Sequence, residues 1–212
     1  MHLENEDEIK SRRDFNRYQF SYVSVTQADL PKVIYVESYV LLKSFPTDKM
    51  QATNYIFDYL QKQKQDALIE KYEMNAFDIQ VQSIERTFID KIFALCDYTI
   101  DGKYNRNSRH LYDLYMIYRE YKQQLTRDLI RPLFIQVAKE RSKSEHAHSA
   151  VKGFKLLEAC RKVIEDDHFK EDYEGTSNVQ LFLPIESVTY QMIIGNFNDI
   201  IESGIIPADI DY

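Results

Sequence analysis

The sequence predicts an α+β protein, with a small mixed sheet in front and a helical bundle behind it. Three observations carry that expectation. The first 45 residues are dense in aromatic and β-branched side chains, and from Ser83 onward the apolar residues recur at helical spacing. The chain of 212 residues also holds only five glycines and five prolines, too few for an all-β chain built on tight turns. At 44% hydrophobic and 29% charged residues the composition is that of an ordinary globular protein, long enough to bury a core.

Taken in order, Phe15 to Val25 and Lys32 to Leu42 read as strands, and Asp29, Leu30 and Pro31 supply a turn that makes them an antiparallel pair. Pro46 and Thr47 stop the second strand and offer a cap, which predicts a helix from Asp48 to Tyr72 with Tyr55, Tyr59 and Leu60 on its apolar side. Phe77 to Val81 alternates with period two and reads as a short strand. Ser83 is placed to cap a helix running to Tyr98, with Glu85 favourably close to the positive end of its dipole. A polar loop from Asp101 to Asn107 follows, and Ser108 is placed to cap a helix ending near Tyr121. Further helices are expected at Arg127 to Lys139, Ala150 to Glu165 and Ile185 to Glu202, with a turn or short strand at Gly175 to Leu183. The natural division is an α/β region at 1–82 and a helical domain at 83–212.

Several function classes fall away at once. The five glycines are isolated, which excludes a phosphate-binding P-loop and a dinucleotide-binding fingerprint. The two cysteines, Cys96 and Cys160, have neither metal-knuckle nor redox spacing and read as buried thiols in a reducing compartment. The N-terminus has no apolar signal core, and no apolar run reaches about 18 residues, so the expectation is a cytoplasmic protein with no membrane partner. Net charge is −7, yet residues 119–162 hold 11 Lys and Arg against 5 acids, and residues 163–212 hold 1 against 11. This asymmetry admits either an anionic partner on one face or helices paired by opposite charge.

Six residues are candidates for chemistry. On a helix beginning near Ser83, Ile84, Phe88 and Leu95 fall within about 40° of one another, and Lys91 projects into the same stripe. A lysine there either snorkels from the core edge or points into a cleft as a cation for phosphate. Arg109 and Asp113 stand one turn apart on the next helix, suited to an ion pair or to a shared site. Glu37 interrupts an apolar strand, so its carboxylate lies on the open face of the sheet or is aimed into a metal or substrate site. His146 and His148 sit in a polar loop with no third ligand nearby.

The run Ile84-Glu85-Arg86-Thr87-Phe88-Ile89-Asp90-Lys91, followed after a polar loop by Ser108-Arg109-His110-Leu111-Tyr112-Asp113-Leu114-Tyr115, closely resembles the middle of the nucleotidyl transferase AbiEii/AbiGii toxin family. The aromatic strand at Tyr18 to Tyr22 and the segment Tyr190 to Gly195 extend that resemblance over most of the chain. It implies a nucleotidyltransferase-like fold, a nucleoside triphosphate and Mg2+ as partners, RNA as an acceptor and a cognate antitoxin. By matching position, the resemblance makes Lys91 and Asp113 catalytic, Arg109 and Arg86 substrate-binding, and Glu37 a carboxylate of the metal site. The family's Gly-Gly-Ser or Gly-Gly-Thr turn with its D-x-D pair has no match here, since no glycine precedes Gly102. The chain therefore reads as a nucleotidyltransferase lacking its front edge or, alternatively, as a non-catalytic module that binds nucleotide, RNA or antitoxin.

Overall fold

The computed structural model describes residues 2–4, 15–23, 32–39, 45–177 and 188–212. Its contacts fall into two compact units, Met1–Lys43 and Ser44–Tyr212. The α+β expectation holds, and every strand pairing among the described residues is antiparallel.

In the first unit, β1 (His2–Leu3), β2 (Phe15–Ser21) and β3 (Val33–Tyr39) form one sheet in that order. β2 and β3 pair in the predicted antiparallel sense, from Phe15 opposite Tyr39 to Ser21 opposite Val33. The turn expected at Asp29 to Pro31 and the outer ends of both strands, residues 24–25 and 40–42, lie outside the described residues. The register sets Arg17 directly across from Glu37, and Arg17 Nε donates to Glu37 Oε1 at 2.7 Å. The same guanidinium lies 5.8 Å from the Phe15 ring centroid and 5.5 Å from that of Tyr35, so an aromatic pair cradles it.

The second unit opens with a correction. Where a helix from Asp48 was expected, β4 (Thr47–Ala52) pairs antiparallel with β5 (Phe77–Gln82), from Thr47 opposite Gln82 to Ala52 opposite Phe77. The sequence TDKMQA has little strand propensity of its own; cross-strand pairing decides its conformation. The helix begins only at α1 (Tyr55–Lys62), where the Asn54 side chain accepts from the Phe57 N–H at 2.9 Å. It then breaks at Lys64, whose φ is 54°, before α2 (Asp66–Lys71). Tyr55 and Tyr59, expected on an apolar face, are exposed. The expected division at 82/83 falls inside this second unit, at the passage from β5 into α3, where the Ser83 N–H donates to Pro46 O at 2.9 Å.

The bundle consists of α3 (Ile84–Ile100), α4 (Arg109–Tyr121), α5 (Arg127–Arg141), α6 (Leu156–Asp166), the short α7 (Lys170–Asp172) and α8 (Tyr190–Glu202). α3 is its axis, packing on α4, α5 and α6, and α8 closes the far side against α4 and α6. Phe88, Ile89, Ile92, Phe93 and Leu95 of α3 are wholly enclosed, and Phe93 meets Phe134 of α5 edge-on with ring centroids 5.7 Å apart. Each such side chain contributes roughly 1.5–3 kcal/mol through burial, so α3 anchors the unit. Cys96 and Cys160 are buried free thiols, as expected, with sulfurs 3.8 Å apart between α3 and α6.

Two other helix boundaries moved. The helix expected from Ala150 starts at Leu156, because Gly153 takes a φ of 83° and the C-terminal tail pairs with this stretch. There the Gly153 N–H donates to Ile210 O at 2.7 Å and the Ile210 N–H to Phe154 O at 2.9 Å. The helix expected from Ile185 begins at Tyr190, after Thr189, whose hydroxyl accepts from the Met192 N–H at 3.3 Å. Residues 178–187, including most of the expected turn or short strand, lie outside the described residues. No helix among the described residues is long and apolar enough to cross a membrane.

Candidate functional site

The site grows from the seam between α3 and α4. α3 starts as its sequence predicts, with Ser83 Oγ accepting from the Arg86 N–H at 3.2 Å and Glu85 in the first turn. α4 starts differently: Ser108 makes no side-chain cap bond to its own helix. Instead its hydroxyl donates to Asp172 Oδ2 at 2.5 Å, and the same carboxylate accepts the backbone N–H groups of Ser108 at 3.0 Å and Arg106 at 2.6 Å. A carboxylate from α7 thus fixes the loop that delivers Arg109, His110 and Asp113.

Across that seam Lys91 Nζ donates to Asp113 Oδ2 at 2.6 Å. The two side chains are 27% and 34% exposed, so the pair sits at the rim of the core rather than in it. One helical turn-pair along, Tyr98 of α3 stacks on His110 of α4, with centroids 5.5 Å apart and planes 12° from parallel. The two contacts run in opposite order along the helices, which therefore pack antiparallel. Burial of Asp113 opposes its ionisation, but the adjoining His110 and the Lys91 ammonium outweigh this and hold its carboxyl below the ordinary value. His110 moves the same way for the opposite reason. Burial penalises the imidazolium more than Asp113 favours it, so the ring titrates below its ordinary 6.5.

The expected residues converge in part. Lys91 and Asp113 meet; Arg109, expected to pair with Asp113, is exposed one turn earlier and makes no ion pair among the described residues. Arg86, expected to bind substrate, has a side chain that is 0% exposed. It donates to Asp90 Oδ2 at 2.9 Å, to Glu140 Oε2 at 2.8 Å and to Phe45 O at 2.8 Å. The network continues through Arg141, which reaches Asp90 Oδ1 at 3.2 Å and Asp97 Oδ2 at 3.0 Å. Asp97 Oδ1 accepts the backbone N–H of Ser149 at 2.7 Å and its hydroxyl at 2.6 Å. This enclosed ladder ties α3 to α5 and to the start of β4; it orients the helix that carries Lys91.

Glu37 lies in the first unit, 47% exposed and bound by Arg17. His148 Nε2 stands 3.1 Å from Asp101 Oδ1, and His146 is exposed. Among the described residues no three His, Cys, Asp or Glu side chains come together to hold a metal ion, and Asp113 Oδ2 already accepts from Lys91. The described donor set therefore does not form a cage for the Mg2+ that the resemblance implies.

Two participants leave little local trace in the sequence. Asp172 contacts Ser108 from 64 positions away, and no local pattern announces it. His110 was legible as a motif letter, but its burial and its stacking on Tyr98 belong to the packed helix pair.

A family model described as nucleotidyl transferase AbiEii toxin, type IV TA system, matches residues 2–198. No curated protein and no solved structure matches the chain. The match takes in both motif-bearing helices and the seam between them, and the chain belongs to the nucleotidyl transferase AbiEii toxin family of type IV toxin–antitoxin systems.

Proposed function

We propose that the seam of α3 and α4 receives the phosphates of a nucleoside triphosphate and that the chain transfers the nucleotide to an acceptor such as an RNA hydroxyl. The observation that carries this reading is the Lys91–Asp113 pair, drawn from two separated family motifs onto one oxygen–nitrogen contact of 2.6 Å at the core rim. Lys91 supplies a compact positive charge on a flexible stem, suited to a phosphate oxygen, and exposed Arg109 offers a planar fork for a second. Asp113, held ionised, aims Lys91 in the free protein. Once phosphate draws the ammonium away, its carboxylate is released to place the acceptor hydroxyl and take its proton. The acceptor oxygen then bonds to the α-phosphorus as the bond to the bridging oxygen breaks and pyrophosphate departs. Phosphoryl chemistry of this kind is catalysed almost wholly by positioning and charge neutralisation.

Arg86 serves this reading by orienting α3, not by touching the nucleotide. A metal role for Glu37 requires Arg17 to be displaced from it. Family membership implies an antitoxin partner and a nucleotide substrate; an RNA acceptor and a cytoplasmic location belong to this proposal. A second reading has its own support: without a carboxylate cluster among the described residues, the same seam serves a module that binds nucleotide, RNA or antitoxin and transfers nothing.

Calorimetry with ATP, GTP, CTP and UTP, with and without Mg2+, tests the site. At least one nucleotide binds, and Lys91→Ala and Asp113→Ala each weaken it. Absence of heat with all four rejects the site, whereas binding without transfer of labelled nucleotide to RNA selects the second reading.

A further inference from the structure

The imidazole of His110 presents an unspent donor. Its side chain is 10% exposed, and neither ring nitrogen has a hydrogen-bond partner among the described residues. Buried polar atoms are nearly always paired; this ring is not, and an acceptor, the Asp113 carboxylate, stands beside it. Nδ1 stands 3.8 Å from Asp113 Oδ2, too far for a hydrogen bond but within about 1 Å of one. That oxygen is the one Lys91 occupies at 2.6 Å. The Tyr98 ring stacks on it.

We propose that His110 is the standby donor for Asp113: when Lys91 swings away from the carboxylate, the His110 Nδ1–H closes onto the vacated oxygen. The use made of this exchange rests on the reading of Lys91 as a phosphate ligand, but the exchange itself is a property of the free protein. Without it, withdrawal of Lys91 strands a half-buried carboxylate, which then resists giving up its cation. With it, Asp113 keeps one donor throughout and Lys91 is free to move. His110 is thus a positioning residue acting through Asp113. The groups that act electrostatically on its ring are Asp113 and Arg109 of α4 and Lys91 of α3.

The test needs no nucleotide. Side-chain 15N NMR of His110 is recorded against pH in the wild-type chain, in Lys91→Met and Lys91→Leu, which imitate withdrawal, and in Lys91→Met with Asp113→Asn. In both single variants the ring carries its proton on Nδ1, that proton shows the downfield shift of a hydrogen bond, and the titration midpoint rises by about one unit as the partner carboxylate becomes its own. Adding Asp113→Asn abolishes the hydrogen-bond shift and most of the rise. The proposal is overturned if tautomer and proton shift are the same in the wild type and the single variants, or if the full change persists without the Asp113 charge. A second arm uses inorganic tripolyphosphate. His110→Phe weakens its binding by about tenfold or more, the worth of a hydrogen bond to a charged group, while His110→Asn, whose amide occupies the Nδ1 position, restores it. Equal binding by His110→Phe and wild type contradicts the exchange. Loss of binding in none of the Lys91 variants, with the NMR result intact, faults the phosphate reading alone.

Discussion

Two ionic arrangements share α3 and differ in nearly everything else. On the side facing α5, Arg86 is wholly enclosed and donates through Nε and Nη1 to Asp90, Glu140 and Phe45 O, its Nη2 having no partner among the described residues, while Arg141 extends the chain to Asp97. On the side facing α4, Lys91 and Asp113 are each about a third exposed, and Lys91 has a single described partner. The contact distances are alike; the surroundings are not. An enclosed charge with several fixed partners has no alternative state, so it contributes to the fold and its loss is severe. A rim charge with one partner, water at hand and a spare donor nearby gives up that partner readily.

Breaking the enclosed ladder should have the largest effect. Arg86→Ala leaves Asp90 and Glu140 without their shared cation and is expected to lower unfolding free energy by about 3–5 kcal/mol in urea titrations. Asp97→Ala strips Ser149 and Arg141 of an acceptor and should lower it by about 1.5–3 kcal/mol. Lys91→Ala, by contrast, should change stability by less than about 1 kcal/mol in the same titration while nucleotide binding collapses. An equal stability loss from Lys91→Ala and Arg86→Ala would erase the distinction between the two sides.

The smallest effect is on pH dependence. The folded protein holds His110 neutral below its ordinary 6.5, so the unfolded chain takes up that proton first as pH falls. The stability linked to His110 is therefore complete above 6.5 and declines below it, towards the lowered folded value. Asp113 adds a further decline only below 3.8, as its own lowered folded value is crossed. In His110→Asn the decline that begins at 6.5 should flatten while the more acidic one remains, measured as melting temperature against pH.

Much of this plan was legible in the residues. The β2–β3 pair, the start of α3 at Ser83 and the span of α5 followed from alternation, capping and helical period. Lys91 was legible because a cation in an apolar stripe conflicts with its surroundings, and that conflict is local. β4 was not, because TDKMQA becomes a strand only by pairing with residues 77–82. Nor was the fate of Arg86, which looks like an exposed motif arginine until Glu140 and Phe45 O close over it from remote parts of the chain. Arg109 was matched with Asp113 by its i,i+4 spacing, but the shorter reach across the seam went to Lys91.

One calorimetric titration decides the central claim that the rim pair binds phosphate and the enclosed ladder only holds the helix. The four nucleoside triphosphates are titrated into wild type, Lys91→Ala and Asp97→Asn under one set of conditions at a temperature where all three are folded. The dissociation constant should rise by about tenfold or more in Lys91→Ala and stay at the wild-type value in Asp97→Asn. Equal affinity in wild type and Lys91→Ala, or a loss confined to Asp97→Asn, would contradict it.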